Sequence, residues 1–307
     1  MWDVIWKAAS FLLVICAGYF LRQKGVFGPK EYTVVQRIVM NLTIPASIVV
    51  SFNGFQMDLS LWGVAVLGLG MNLGMIALAA LFSHRKSRNE RVLYLMSFCG
   101  YNVGCFALPF LQNFLGAYGV ALACLFDMGN STIATGGGYA IASNIVDRKT
   151  GAGFSLKKMV KKLFHVVPFV TYLFMIVYTA VGLNVPQTVV TLLTPAANAN
   201  AFVSMLFIGM MVDFRMEPGD GFKVFKVVIS RAAVSILLAA GLYFLLPVGL
   251  ETRRVLAILA LSPIAVLSAS FTDELGGPVA MAASVNSTYA LISVAAMSVL
   301  VVLFGIS

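Results

Sequence analysis

The chain has 307 residues, of which 60% are hydrophobic and only 11% charged. A soluble domain carries about 25% charged residues, so a water-soluble fold is excluded and an integral membrane protein is indicated. The net charge of +9 then reads as loops flanking a membrane rather than as a nucleic-acid partner.

A membrane-crossing helix needs about 20 apolar residues. Ten runs qualify: roughly 5–21, 34–53, 61–83, 91–111, 117–145, 163–183, 187–212, 225–247, 254–272 and 278–304. The first run leads into a basic loop without a cleavage pattern, which suits a first span rather than a signal peptide. The connecting loops are short, so a single transmembrane domain over 1–307 is expected.

Lysines and arginines set the orientation. The loops after the first, third, fifth and seventh runs hold sixteen of the 21 basic residues, among them Arg22, Lys86, Arg148, Lys157, Lys161 and Lys223. The opposite side has Lys7, Arg253 and Arg254. Positive loops stay cytoplasmic, so both termini are expected to be extracytoplasmic, in a multi-pass protein of the cell membrane. The basic loops read as headgroup-facing anchors.

Internal echoes divide the chain in two. FQMD at 55–58 returns as FRME at 214–217, Arg91-Val92-Leu93 as Arg254-Val255-Leu256, and Asn130-Ser131-Thr132 as Asn286-Ser287-Thr288. The offsets are 159, 163 and 156, so order is kept with small gaps. The reading is an all-α integral membrane fold of ten transmembrane helices, with a first five-helix repeat over 1–146 and a second over 158–307. Five is odd, so the halves must be inverted, as in secondary transporters.

The fourth run of each half is interrupted. Residues 99–111 carry Gly100, Asn102, Gly104 and Pro109; the counterpart carries Ser262, Pro263, Ser268 and Ser270. Proline lacks an amide proton and clashes with the preceding turn. In lipid the freed backbone groups need partners, which protein or a wet cavity must supply. Interrupted spans at matching places in two halves point to a midplane binding site, and half-helix amino ends suit an anionic group.

Asp127 lies inside the fifth run. An intramembrane carboxylate costs roughly 2.5–3.5 kcal/mol on insertion scales, so it is expected to bind substrate, carry a proton, pair with a cation such as Arg37 or Arg231, or hold two helices together. Asn130 shares its helical face, and Asn286 is the repeat mate of Asn130. Amides donate and accept, which suits recognition or interhelical bonding alike. Asn41, Thr43 and Pro45 in the second run, with Asn198 and Asn200 in the seventh, are candidates to line the same cavity. Cys16, Cys99, Cys105 and Cys124 lie in apolar runs without metal-ligand spacing, so small buried side chains are expected, with no disulfide. No metal cluster, nucleotide motif or Ser/His/Asp set is visible, and neither an enzyme nor a cofactor is expected.

The pattern Asn102-x-Gly104, Leu108-Pro109, Gly116, Gly119, Asp127, Asn130, following a basic third loop, resembles the auxin efflux carrier family of membrane transporters in its compact bacterial form. The resemblance covers essentially the whole chain. It implies a scaffold bundle and a mobile transport unit, with broken crossover helices in the fourth and ninth spans at Pro109 and Pro263. It further implies Asn102 close to a small organic anion and a supporting polar site at Asp127 and Asn130. The second crossover here is serine-rich without a clear asparagine, a departure from that pattern. The expected function is a secondary carrier of a mono- or dicarboxylate, efflux carrier-like, working by alternating access. A sodium-coupled symporter of bile-acid-transporter-like fold and, further off, a channel or sensor are the alternatives. Coupling to protons or to sodium, and a homodimeric assembly, stay open.

Overall fold

The computed structural model describes residues 2–28, 30–55, 61–146, 156–214 and 216–306. Among them every regular element is a helix, and the one extended pairing is a single bridge between Tyr101 and Ile264. An apolar chain in lipid has to bond its own backbone, and a helix does so within one segment.

In chain order the helices are α1 (Trp2–Gln23), α2 (Tyr32–Ile38), α3 (Ile44–Ser51), α4 (Trp62–Ser83), α5 (Arg88–Phe98), α6 (Leu108–Thr132) and α7 (Gly138–Val146). They continue as α8 (Leu156–Leu163), α9 (Val167–Ala180), α10 (Gln187–Met211), α11 (Gly221–Leu245), α12 (Leu250–Ala260), α13 (Ser268–Glu274) and α14 (Val279–Leu303). Wide π-type turns, Val39–Thr43, Val103–Ala107 and Ile133–Gly137, join α2 to α3, lead into α6, and join α6 to α7. Pro168 falls in the first turn of α9, where the missing amide proton leaves no helical bond unmade, while Pro45 and Pro109 each follow directly on a wide turn, at the start of α3 and of α6.

Seven of these helical stretches, rather than the ten expected, are long and apolar enough to cross a membrane. The reason is local. The fourth and ninth runs are broken in the middle, so neither forms a continuous membrane-length helix. The sixth is helical over only Val167–Ala180, and 103–146 forms one long apolar stretch. That stretch bends inside α6 at Gly116 (φ 57°, ψ −150°), a conformation a side chain would strain. The Asp58 end of the first echo, Arg148, Lys149 and Arg215 lie outside the described residues.

Two groups of helices form. α10 packs on α1, α2 and α3, and α3 packs on α9. In the second group α4 packs on α5 and α6, α5 on α7, α13 and α14, and α11 on α12 and α14. The groups meet where α1 touches α14 and where α3 and α10 touch α6. The closest approaches use small residues, as is common where lipid gives no hydrophobic drive. A Cβ on Gly68 would run into the Phe126 carbonyl oxygen, and one on Gly129 into that of Ala65. Gly18 and Gly209 do the same between α1 and α10. Arg22 adds a cap there, donating to the Met210 and Val212 carbonyls at 2.8 and 3.2 Å.

Gly129→Leu should therefore separate α4 from α6 and cost about 1–3 kcal/mol or more by overpacking. Gly70→Ala, which meets open space, is the control. Thermal unfolding in detergent checks this; equal midpoints for the two variants would refute the close packing.

Candidate functional site

The site grows from the two interruptions. α5 ends at Phe98, Gly100 turns the chain at φ 75°, Tyr101 forms the bridge to Ile264, and Asn102 (φ −81°, ψ 73°) leads into the Val103–Ala107 turn. A Cβ on Gly100 would lie 2.8 Å from that of Ala265 and 2.9 Å from that of Ala134, so both backbone angle and space call for glycine here. On the other side α12 ends at Ala260, and residues 261–267 lead to α13. The two extended pieces cross antiparallel. The Asn102 amide donates to the Pro263 carbonyl at 2.8 Å, and the Ala265 amide to the Gly100 carbonyl at 3.3 Å. Each break thus supplies partners for the other. Ser268 Oγ adds a bond to the Met96 carbonyl at 2.7 Å.

Side chains take up the remaining groups. Asn130, 1% exposed, grips Tyr101 from both sides. Its Oδ1 accepts from the Tyr101 amide at 2.8 Å, and its Nδ2 donates to the Tyr101 carbonyl at 2.9 Å. The same amide accepts from Asn72 Nδ2 at 3.1 Å and donates to Asp127 Oδ1 at 2.7 Å. Asp127 is half-buried. Its Oδ2 accepts from the Tyr172 hydroxyl of α9 at 3.5 Å, and Ser131 Oγ lies 3.3 Å from that hydroxyl. Asp127 orients Asn130, and Asn130 fixes the break.

The carbonyls at the end of α5 have a different partner. Arg231 of α11, fully buried, donates through Nη1 to the Ser97 carbonyl and through Nη2 to the Gly100 carbonyl, the latter at 3.2 Å. Its guanidinium carbon lies 5.3 Å from the Tyr101 ring centre and 5.0 Å from that of Tyr289. Tyr289 is held in turn by a 2.9 Å bond from its hydroxyl to Ser235.

A cavity of about 90 Å³ opens beside the crossing, lined by Asn102, Phe106, Ile208, Pro263, Asn286 and Ser287 among others. Asn286 Oδ1 is buried there without a hydrogen-bond partner among the described residues, and Ser287 Oγ accepts from the Asp213 amide at 2.9 Å. Asn102, Pro263 and Asn286 are thus brought together. Asp127 and Asn130 brace the crossing instead of lining this cavity. Gly104 sits in the turn that leads to Pro109, with Ile44 of α3 as its neighbour. Asn41 is exposed on the outer surface, its Nδ2 bonded to the Arg37 carbonyl at 2.8 Å. Neither Arg37 nor Arg231 pairs with Asp127. A second polar cluster joins the two helix groups: Ser47 Oγ donates to Gln112 Oε1 at 2.7 Å, and Thr43 Oγ1 to Asn200 Oδ1 at 2.9 Å.

Asn72, Tyr101, Gln112 and Tyr172 were not singled out by sequence reasoning. Their side chains carry no unusual local pattern, and only the packing shows their role. Arg231 had a signal, an arginine within an apolar run, which pointed to a carboxylate partner that it does not have.

No family model matches the chain. It is similar to an uncharacterized transporter of Methanothermobacter thermautotrophicus, 24% identical over 275 residues, which cover 86% of each chain. The chain is an all-helical protein with several membrane-length helices, similar over most of its length to a transporter.

Asn130→Ala would strip Tyr101 of both backbone partners, at about 1–3 kcal/mol for each buried group left unpaired. Asp127→Asn keeps an acceptor for Asn130 and should cost less. Unfolding midpoints in detergent rank the two; a wild-type midpoint for Asn130→Ala would refute the bracing role.

Proposed function

We propose that the chain is a secondary active transporter, efflux carrier-like, that moves a small organic anion such as a mono- or dicarboxylate by alternating access. The observation that carries this reading is the antiparallel crossing of two interrupted segments, Gly100–Asn102 against Pro263–Ala265, beside a cavity. Broken helices that meet in a bundle are the usual site of substrate binding in such carriers. Asn102 and Asn286 would hold the substrate by hydrogen bonds, and the free amides at the start of the Val103–Ala107 turn would favour negative charge. Asp127 would orient the site through Asn130 or carry a proton.

On this reading the interrupted segments also cross the membrane, α9 spans as a short helix, and Gly116 separates the fourth span from the fifth. Ten spans result, in two inverted repeats. The two Arg-Val-Leu echoes support this, since each lies in a helix that ends at a break, α5 and α12. The first helix group would be the scaffold and the second the transport unit, as in the auxin efflux carrier family. The sodium-coupled alternative keeps the same architecture and differs in the ion.

Reconstituted protein should show saturable uptake of at least one labelled mono- or dicarboxylate, enhanced by an imposed proton gradient. Asn102→Ala should lower it about tenfold or more, the scale of one lost buried hydrogen bond, and Asp127→Asn, which removes the ionisable group, should abolish the enhancement by the proton gradient. Wild-type rates in Asp127→Asn would remove the role of that carboxylate, and no uptake of any acid would overturn the anion assignment.

Orientation is tested separately. With Cys16 replaced by serine, Lys86→Cys should react with an impermeant thiol reagent only from the cytoplasmic side, and Gly249→Cys only from outside. The reverse pattern would invert the topology.

A further inference from the structure

Arg231 presents an unusual balance of charge. It is 0% exposed, and among the described residues no carboxylate pairs with it. A buried charge without a counter-ion is costly unless something else stabilises it. Here two carbonyl oxygens and two aromatic faces do so. The carbonyls belong to Ser97 and Gly100, at the last turn of α5 and just beyond it. That is the negative end of a half-helix dipole. Ring faces add attraction for a cation on either side. Donor and acceptor types therefore match those of a cation site, and the cation is covalently part of the chain.

We infer that Arg231 is a resident cation, seated on the carbonyl end of the broken α5 where a carrier of this architecture can coordinate sodium, and that it makes the cycle independent of that ion. Unwound carbonyls and half-helix carboxyl ends are the usual sodium ligands in such folds. Here the Gly100 carbonyl accepts from both Arg231 and the Ala265 amide, which leaves it little capacity for a further ion. Because a guanidinium keeps its charge at all physiological pH values, the site cannot empty and refill during a cycle. The inference rests on the carrier reading for its consequence in transport. The occupancy of the carbonyl end stands on geometry alone.

The test has two readouts. In the first, purified wild-type protein is heated in detergent with sodium chloride or with choline chloride at equal ionic strength. Its unfolding midpoint should be the same in both. Arg231→Ala should be more stable in sodium than in choline, as the vacated carbonyls take up the ion. Arg231→Lys, which keeps the charge, should stay indifferent. In the second readout, wild-type uptake in vesicles should be equal with and without a sodium gradient, while any uptake left in Arg231→Ala should rise about tenfold with sodium, the scale of one recovered buried contact. Sodium stabilisation of the wild type, or sodium-driven wild-type uptake, would overturn the inference. So would an Arg231→Ala protein equally stable, or equally unstable, in both salts. The thermal readout needs no substrate, so a failure of the anion assignment would not be mistaken for a failure here.

Discussion

Every backbone amide and carbonyl released by a broken helix must find a partner inside the protein, because lipid has none to give. This requirement organises the centre of the molecule. The break at residues 99–102 is answered by the break at 261–267, one amide and one carbonyl at a time. What the two strands cannot give each other comes from Asn130 on one side and Arg231 on the other. Four separate elements thus converge on about five residues. The arrangement tolerates little change in register, since each backbone bond fixes the depth of the next.

The two braces differ in kind. Asn130 is neutral and offers one donor group and one acceptor, which match the two backbone groups of Tyr101. Arg231 offers only donors, and it meets only acceptors. The half-helix end that carries negative partial charge receives the cation.

Much of this was legible in the chain, and the remainder was hidden for physical reasons. The apolar runs gave the helices because lipid leaves helix as the usual solution. Gly100 marked one break and Pro263 the other, while Pro109 lies past its break in the first turn of α6. Asn102 and Asn286, far apart in sequence, meet at one cavity. Asn41 does not join them, since a single-residue rotation on a helix decides whether a side chain faces protein or lipid, and apolar residues on both faces of the second run hid that choice. Seven stretches rather than ten reach membrane length, in part because an interruption that serves the crossing also shortens the helix that carries it. The partner of Arg231 could not be read at all. Backbone carbonyls leave no trace in a sequence, and a search among carboxylates passes over them.

The crossing also has a history in time. Gly100 and Arg231 are separated by 131 residues. At about 5–20 residues per second, a ribosome takes on the order of ten seconds to make that interval. Throughout it the first break already exists, with Asn130 soon at hand but with the Ser97 and Gly100 carbonyls still lacking their guanidinium. The nascent first half must therefore keep this segment wet, or sheltered by the insertion machinery, until α11 arrives. The centre closes only once residues 261–267 have also been made, and a chain that stops before residue 231 lacks both the guanidinium and the second break.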